Sequence, residues 1–400
     1  MSSILKTDAL IKTIRRRGFI PRSQETFTDE DFLEMATEEI NIGLVPLIQR
    51  MHEEHLVYDI DVTLVQGKLK YPIPSRAHGD KIRDVAFVDE SGNVYEMFRY
   101  SLDDLSEFAN AYSRVVNRGF YLQNNDIILT SSEYNVGSKL RISFYMRPNV
   151  LVLPEKTGQI LQTITEWQTD FLSPVSGSVS SIAIGNPSII QTSQPHGLKN
   201  GESVSFSGTD STPVLSNQNY VVSVIDATTF SIPVEVTTAG TTGSFTKVIE
   251  VVTLNFSKLP RNFSQQLKYD VIQNISPNKI VHYDIPCNSI NNSTNSMSFE
   301  LSRIPDAVNG YYICQAEQSC VPNIPTELHP ILAQRVAVAC LEAMGDEQNK
   351  QSAERKLMQM ERDAGTFLDN RVEGAQEKIR SRHSPLAQTL NGLGRRNRRW

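Results

Sequence analysis

The residues of this 400-residue chain whose types and spacing could do chemistry begin with "HEEH" at 52–55. A zinc protease uses HExxH, because histidines four apart share a helix face and the glutamate reaches the metal-bound water. His52 and His55 are only three apart, and no third ligand follows at a recognisable spacing. They read as two polar residues near a helix end. "QPHGLKNGESVSFSG" (194–208) carries His196 among close glycines. A phosphate loop needs a strand before it, a helix after it and a GK[ST] or GxGxxG pattern. This segment lacks those patterns and reads as a turn before a strand. No GxSxG elbow occurs, and the paired acids Glu53-Glu54 and Asp103-Asp104 fit helix caps and solvated faces. The expectation is a protein that is not an enzyme and carries no metal or cofactor.

The four cysteines, Cys287, Cys314, Cys320 and Cys340, show no CxxC pair and no metal-ligand spacing, which predicts reduced, buried thiols. Charge is more informative. The net charge is −6, yet residues 1–25 carry +4 and residues 371–400 carry +6, which leaves the body at −16. An acidic body with basic ends argues against a folded surface that grips a nucleic-acid backbone. The start has charges breaking every apolar run, so no secretory signal is expected. The most apolar stretch, 331–341, is short and contains Arg335, so no membrane span is expected either.

The basic ends are the remaining binding candidates. Arg15, Arg16 and Arg17 follow a short apolar-periodic stretch and either cap a helix or form a secondary arm. "RRNRRW" at the other end places Arg395, Arg396, Arg398 and Arg399 beside Trp400. Arginine and tryptophan are the types that most often carry binding energy at protein interfaces. The arginine fork also matches a carboxylate in two-point geometry.

The elements that must position these residues follow from periodicity. Thr28 at an N-cap and Asp29, Glu30 and Asp31 in a first turn open a helix over 28–56, with an apolar face and a kink at Pro46. From Tyr58 the pattern alternates, predicting an antiparallel β-meander to about 150, interrupted by a short helix at 101–112. Residues 173–247 are rich in Ser, Thr, Gly and Val with turn signals every 8–12 residues, which indicates an inserted all-β module of the Ig-like or small-sandwich kind. After Pro325 a buried helix, a Gly345-Asp346 turn and an amphipathic helix to about 372 make a hairpin. The predicted fold is α+β: a helical bundle of one N-terminal and two C-terminal helices, with a projecting antiparallel β-domain and the inserted module. Its parts are an arm (1–27), a helix plus β-domain (28–172), the module (173–247), the β-domain continued (248–325), the hairpin (326–372) and a basic tail (373–400).

"FTDEDFLEMATEEI", "YPIPSRAHG" and "LHPILAQRVAVACLEAMGDEQNKQSAERKLMQMERDA", in this order, resemble the head-to-tail adaptor (connector) proteins of tailed bacteriophages. The likeness spans about 28–150 and 248–370, and the module resembles small β-modules of phage tail and neck proteins. It implies a virion protein of the head–tail junction, assembled in the bacterial host cytoplasm as a dodecameric ring. The implied partners are the portal protein, downstream tail or neck proteins, other copies of the chain and double-stranded DNA passing through the lumen without sequence-specific binding. The C-terminal arginines and Trp400 would anchor each copy to the portal. Two other readings stay open: a tail-fibre or glycan-binding adhesin component, and a nucleic-acid-binding protein using its basic arms.

Overall fold

The computed structural model describes residues 6–367 except 22, 25, 52, 102–118, 132–133, 136, 217 and 276–277. The expected fold, a helical bundle from which a β-domain and a small module project, is not the one this chain builds. Strand makes up 39% of it, and the largest assembly is a 13-stranded sheet. The physical reason lies in three strands of twelve or thirteen residues, Ala77–Val88, Gly158–Thr169 and Ser244–Phe256. The third of them crosses the boundary at 247 that composition predicts. A ladder of backbone hydrogen bonds needs neither uniform composition nor strict alternation to continue.

Helices gather around one core. α1 (Thr7–Arg17) contributes Leu10, Ile11 and Ile14, and α2 (Asp29–Glu39) contributes Phe32, Leu33 and Ala36. Thr28 caps α2: its hydroxyl accepts from the Asp31 N–H (3.2 Å), and the Asp31 carboxylate accepts from the Thr28 N–H (2.6 Å). The expected kink at Pro46 takes the form of a π-helical turn, Ile40–Leu44, before α3 (Val45–Met51). A proline cannot donate to the turn behind it, and widening that turn accommodates the missing bond. α4 (His329–Ala343) is buried on most of its circumference. Gly345 (φ +71°) turns the chain, and Asp346 accepts from the Asn349 N–H (3.2 Å) to start α5 (Glu347–Phe367). On α5, Ala353 and Ala364 are buried, with Leu357 and Met360 packed beside them.

The predicted meander is also rearranged. Val57–Thr63 and Lys70–Pro72, neighbours in sequence, enter different four-stranded sheets. The first orders Val57–Thr63, Lys139–Met146, Ala77–Val88 and Val94–Glu96; the second orders Lys70–Pro72, Asp126–Leu129, Gly119–Gln123 and Phe98–Arg99. Tyr71, Phe87, Ile127 and Ile142 belong to the core that these strands enclose. The helix expected at 101–112 falls outside the described residues from 102 onward.

The long strand Ser244–Phe256 organises the remaining chain. Its first part pairs with Ser176–Ile182 and Ser203–Ser207, and its later part with Gly158–Thr169 and Ser296–Glu300. The first set lies over a core containing Ile190, Val204, Phe230 and Phe245; the second over one containing Leu254, Tyr269 and Phe299. One unbroken strand therefore crosses residue 247, where the composition changes, and serves two cores. A third apolar cluster, including Ala77, Phe144, Ile272 and Tyr312, joins the first sheet to the 13-stranded one.

Candidate functional site

The chemical candidates resolve into structural roles. His55 lies buried in a short 3₁₀ turn. Between the histidines, Glu53 accepts from the Tyr145 hydroxyl (2.8 Å) and pairs with Arg83 (3.2 Å). His52 lies outside the described residues, and among those described no group of three His, Cys, Asp or Glu is placed to hold a metal. His196 is buried: Nδ1 accepts from the Leu198 N–H (2.9 Å), and Nε2 lies 2.9 Å from the Asp226 carbonyl. Since a carbonyl only accepts, Nε2 carries the proton and the ring is a neutral turn fastener. All four thiols are free and buried. Burial pushes Cys287 up to about 12 and Cys340 up to about 11, far from a reactive thiolate.

The N-terminal arginines divide. Arg15 pairs with Asp29 (2.9 Å) and lies 4.8 Å over the Phe32 ring, and Arg17 donates to Gln334 Oε1 (2.7 Å). Both lock α1 to its neighbours. Arg16 alone is exposed, beside Phe19, which is 77% exposed with φ +55°. Arg395, Arg396, Arg398, Arg399 and Trp400 lie outside the described residues. No helix among the described residues is long and apolar enough to cross a membrane.

Two arrangements escaped the sequence reading. The first is a strand edge. Gly158–Thr169 pairs with Ser244–Phe256 at Ile160 and along residues 162–169, with a bulge at Leu161, but with Tyr312–Gln315 only at Gly158 and Gln159. Among the described residues, 161–169 have no strand on the second side. Along this edge Leu161, Ile164 and Trp167 are 55%, 40% and 48% exposed, and Phe171 (52%) follows. A long apolar edge is a ready template for another chain. The run "ILQTITEW" contained the signal, but only pairing reveals which strand is left at an edge.

The second is a pair of ion clusters at the joints between β-units. Arg76 (3% exposed) reaches Asp270 (3.0 Å), Asp284 (3.2 Å) and the Asn149 amide oxygen (2.6 Å). Asp270 also accepts from the Asn149 amide (2.7 Å) and from the N–H groups of Asp284 (2.9 Å) and Glu317 (3.1 Å). Burial raises the Asp270 pKa, while these donors hold its negative charge in place. At the other joint Lys247 pairs with Asp170 (3.1 Å) and Glu202 (2.9 Å). An aspartate inside the apolar strand "KYDVI" was the legible hint of the first cluster, since an interior carboxylate requires a partner.

No family model matches this chain, and no curated protein matches it.

Proposed function

We propose that the chain is the subunit of a head-to-tail adaptor ring of a tailed bacteriophage, joining the portal to the next tail component around the DNA channel. The observation that carries this reading is the unpaired edge at 161–169 with Leu161, Ile164 and Trp167 exposed. Such an edge is a liability in a solitary protein and an asset in one whose work is assembly. Glu166 and Glu250, both exposed and on paired strands, oppose stray edge-to-edge contact until a template aligns the copies. The helices at the two ends of the sequence share one core, so a single cap would dock on the portal while the β-units lead away. The acidic body suits a lumen through which DNA slides without sticking.

On this reading the chain is a monomer alone and closes into a ring on the portal. The test is the variant Leu161→Lys, Ile164→Lys, Trp167→Lys. It is expected to melt as the wild type does and to leave portals bare or partly occupied. Full rings of this variant would contradict the edge as the contact between copies.

A further inference from the structure

A cleft of about 680 Å³ is lined by residues of neither ion cluster. Its wall brings together Lys6, Lys156, Lys258 and Arg261 against a single acid, Glu155. None of the four cations forms an ion pair among the described residues. In a chain of net charge −6, four unpaired cations around one cavity are an anomaly that folding does not account for. Cations gathered around one cleft leave a positive field that an entering anion would meet.

The cleft is also built rather than incidental. Lys156 ends a 3₁₀ turn, Pro154–Lys156, and Lys258 and Arg261 lie in the loop after Phe256. That loop is pinned on both sides. Leu259 is buried and its N–H donates to Asn295 (3.1 Å), the Asn262 carbonyl accepts from Gln315 (2.6 Å), and the Asn262 amide reaches the Lys156 carbonyl (3.4 Å). Lys6 is held 4.9 Å over the Tyr312 ring. Thr157 and Ser257 line the same space, the Thr157 hydroxyl donating to the Pro154 carbonyl (2.9 Å). Three lysines, which act as point charges, suit tetrahedral phosphate oxygens better than the planar carboxylate that paired arginine forks prefer.

We propose that this cleft binds a ligand carrying two or more phosphate groups. Its volume is that of an ordinary small-molecule site, and its open side also admits a stretch of nucleic-acid backbone. The site stands independently of the ring reading.

Tripolyphosphate and a short DNA duplex are the two probes, titrated into the full chain. Lys156, Lys258 and Arg261 are exposed, so Lys156→Gln, Lys258→Gln, Arg261→Gln removes charge without opening a core. The expected result is saturable binding of one tripolyphosphate per chain, weakened at least tenfold in this triple variant at an unchanged melting temperature. The control, Lys12→Gln with Arg16→Gln on α1, should bind as the wild type does. If duplex also binds, and the triple variant loses about 2–3 from the slope of log K against log salt, the source of the phosphates is nucleic acid. If only tripolyphosphate binds, the ligand is a small polyphosphate. Binding of both probes that is absent, non-saturable or equal in the triple variant would overturn the proposal.

Discussion

The two joints of this protein hold their parts by different means. At the first, the sheet of Ala77–Val88 meets the 13-stranded sheet with no strand shared between them among the described residues. What joins them is an apolar cluster and an ion network centred on the buried pair Arg76 and Asp270. At the second, one strand, Ser244–Phe256, passes from the core of one unit into that of the next, and Lys247 only braces the crossing. Where backbone continuity fixes the geometry, a partly exposed lysine suffices. Where it does not, orientation rests on a planar guanidinium whose donors must all find partners.

The largest stability effect is therefore expected at Arg76. Arg76→Ala leaves Asp270 buried without its counter-charge, which should cost about 3–5 kcal/mol in denaturant unfolding. A loss no larger than that of a surface substitution would show that the apolar cluster alone sets the first joint. Lys247→Ala should cost less, ~1–2 kcal/mol, because its side chain and that of Glu202 keep some water contact, 12% and 22% exposed. If the order of the two variants were reversed, the contrast between the joints would fail.

Excising 173–247 with a short Gly/Ser bridge sharpens the same contrast. The core of Ile190 and Phe230 runs from Val179 to Phe245, and the other units keep their own cores. The remainder should keep a cooperative melt, lowered by roughly 1 kcal/mol for the altered loop closure and by a further ~1–2 kcal/mol for the loss of Lys247 beside Asp170. Aggregation of the shortened chain would mean that the shared strand needs both cores to form.

The smallest effect is a pH dependence confined to the second joint and its module. Backbone N–H groups of Thr242 and Thr241 hold Asp210 down to about 2 from the usual 3.8. Burial works against the Glu202 charge, but the Lys199 N–H and Lys247 outweigh it and keep its pKa below the usual 4.5. Both contributions are present above those usual values and are lost as pH falls through the lower folded-state ones. Lys247 runs the other way: burial opposes its charge, yet Glu202 and Asp170 raise its pKa, so its contribution is present below 10.5 and is lost as pH rises beyond the folded value. Amide protection in Ser203–Ser207 and Ser176–Ile182, taken relative to the intrinsic exchange rate at each pH, should fall below about pH 4. Asp210→Asn should flatten that acid limb. An unchanged profile in the variant would remove Asp210 from the account.

The helices were legible in the sequence because their signals are local. The Thr28 cap, the apolar stripe and the Gly345 turn each act within a few residues. The sheets were not, because pairing is a long-range choice. Nothing near Val57 announces Lys139–Met146 as its partner, and nothing near Leu161 announces a missing neighbour. The ion clusters share this difficulty, since Arg76 and Asp270 are far apart in sequence and only the docking of two sheets brings them together. The charge asymmetry of the chain, by contrast, needed no fold to be seen.

The central claim, that copies of this chain close into a ring on a portal through the edge at 161–169 and are anchored by the tail, is tested most directly by imaging. The intact protein and a chain stopped after Gly394 would each be viewed alone and mixed with purified portal. Single copies are expected without portal, closed rings when the intact chain meets the portal, and bare portals with the shortened chain at an unchanged melting temperature. One tail contributes modestly, but repetition around a ring multiplies attachment. Intact protein that forms portal-independent dimers and leaves portals bare would contradict it.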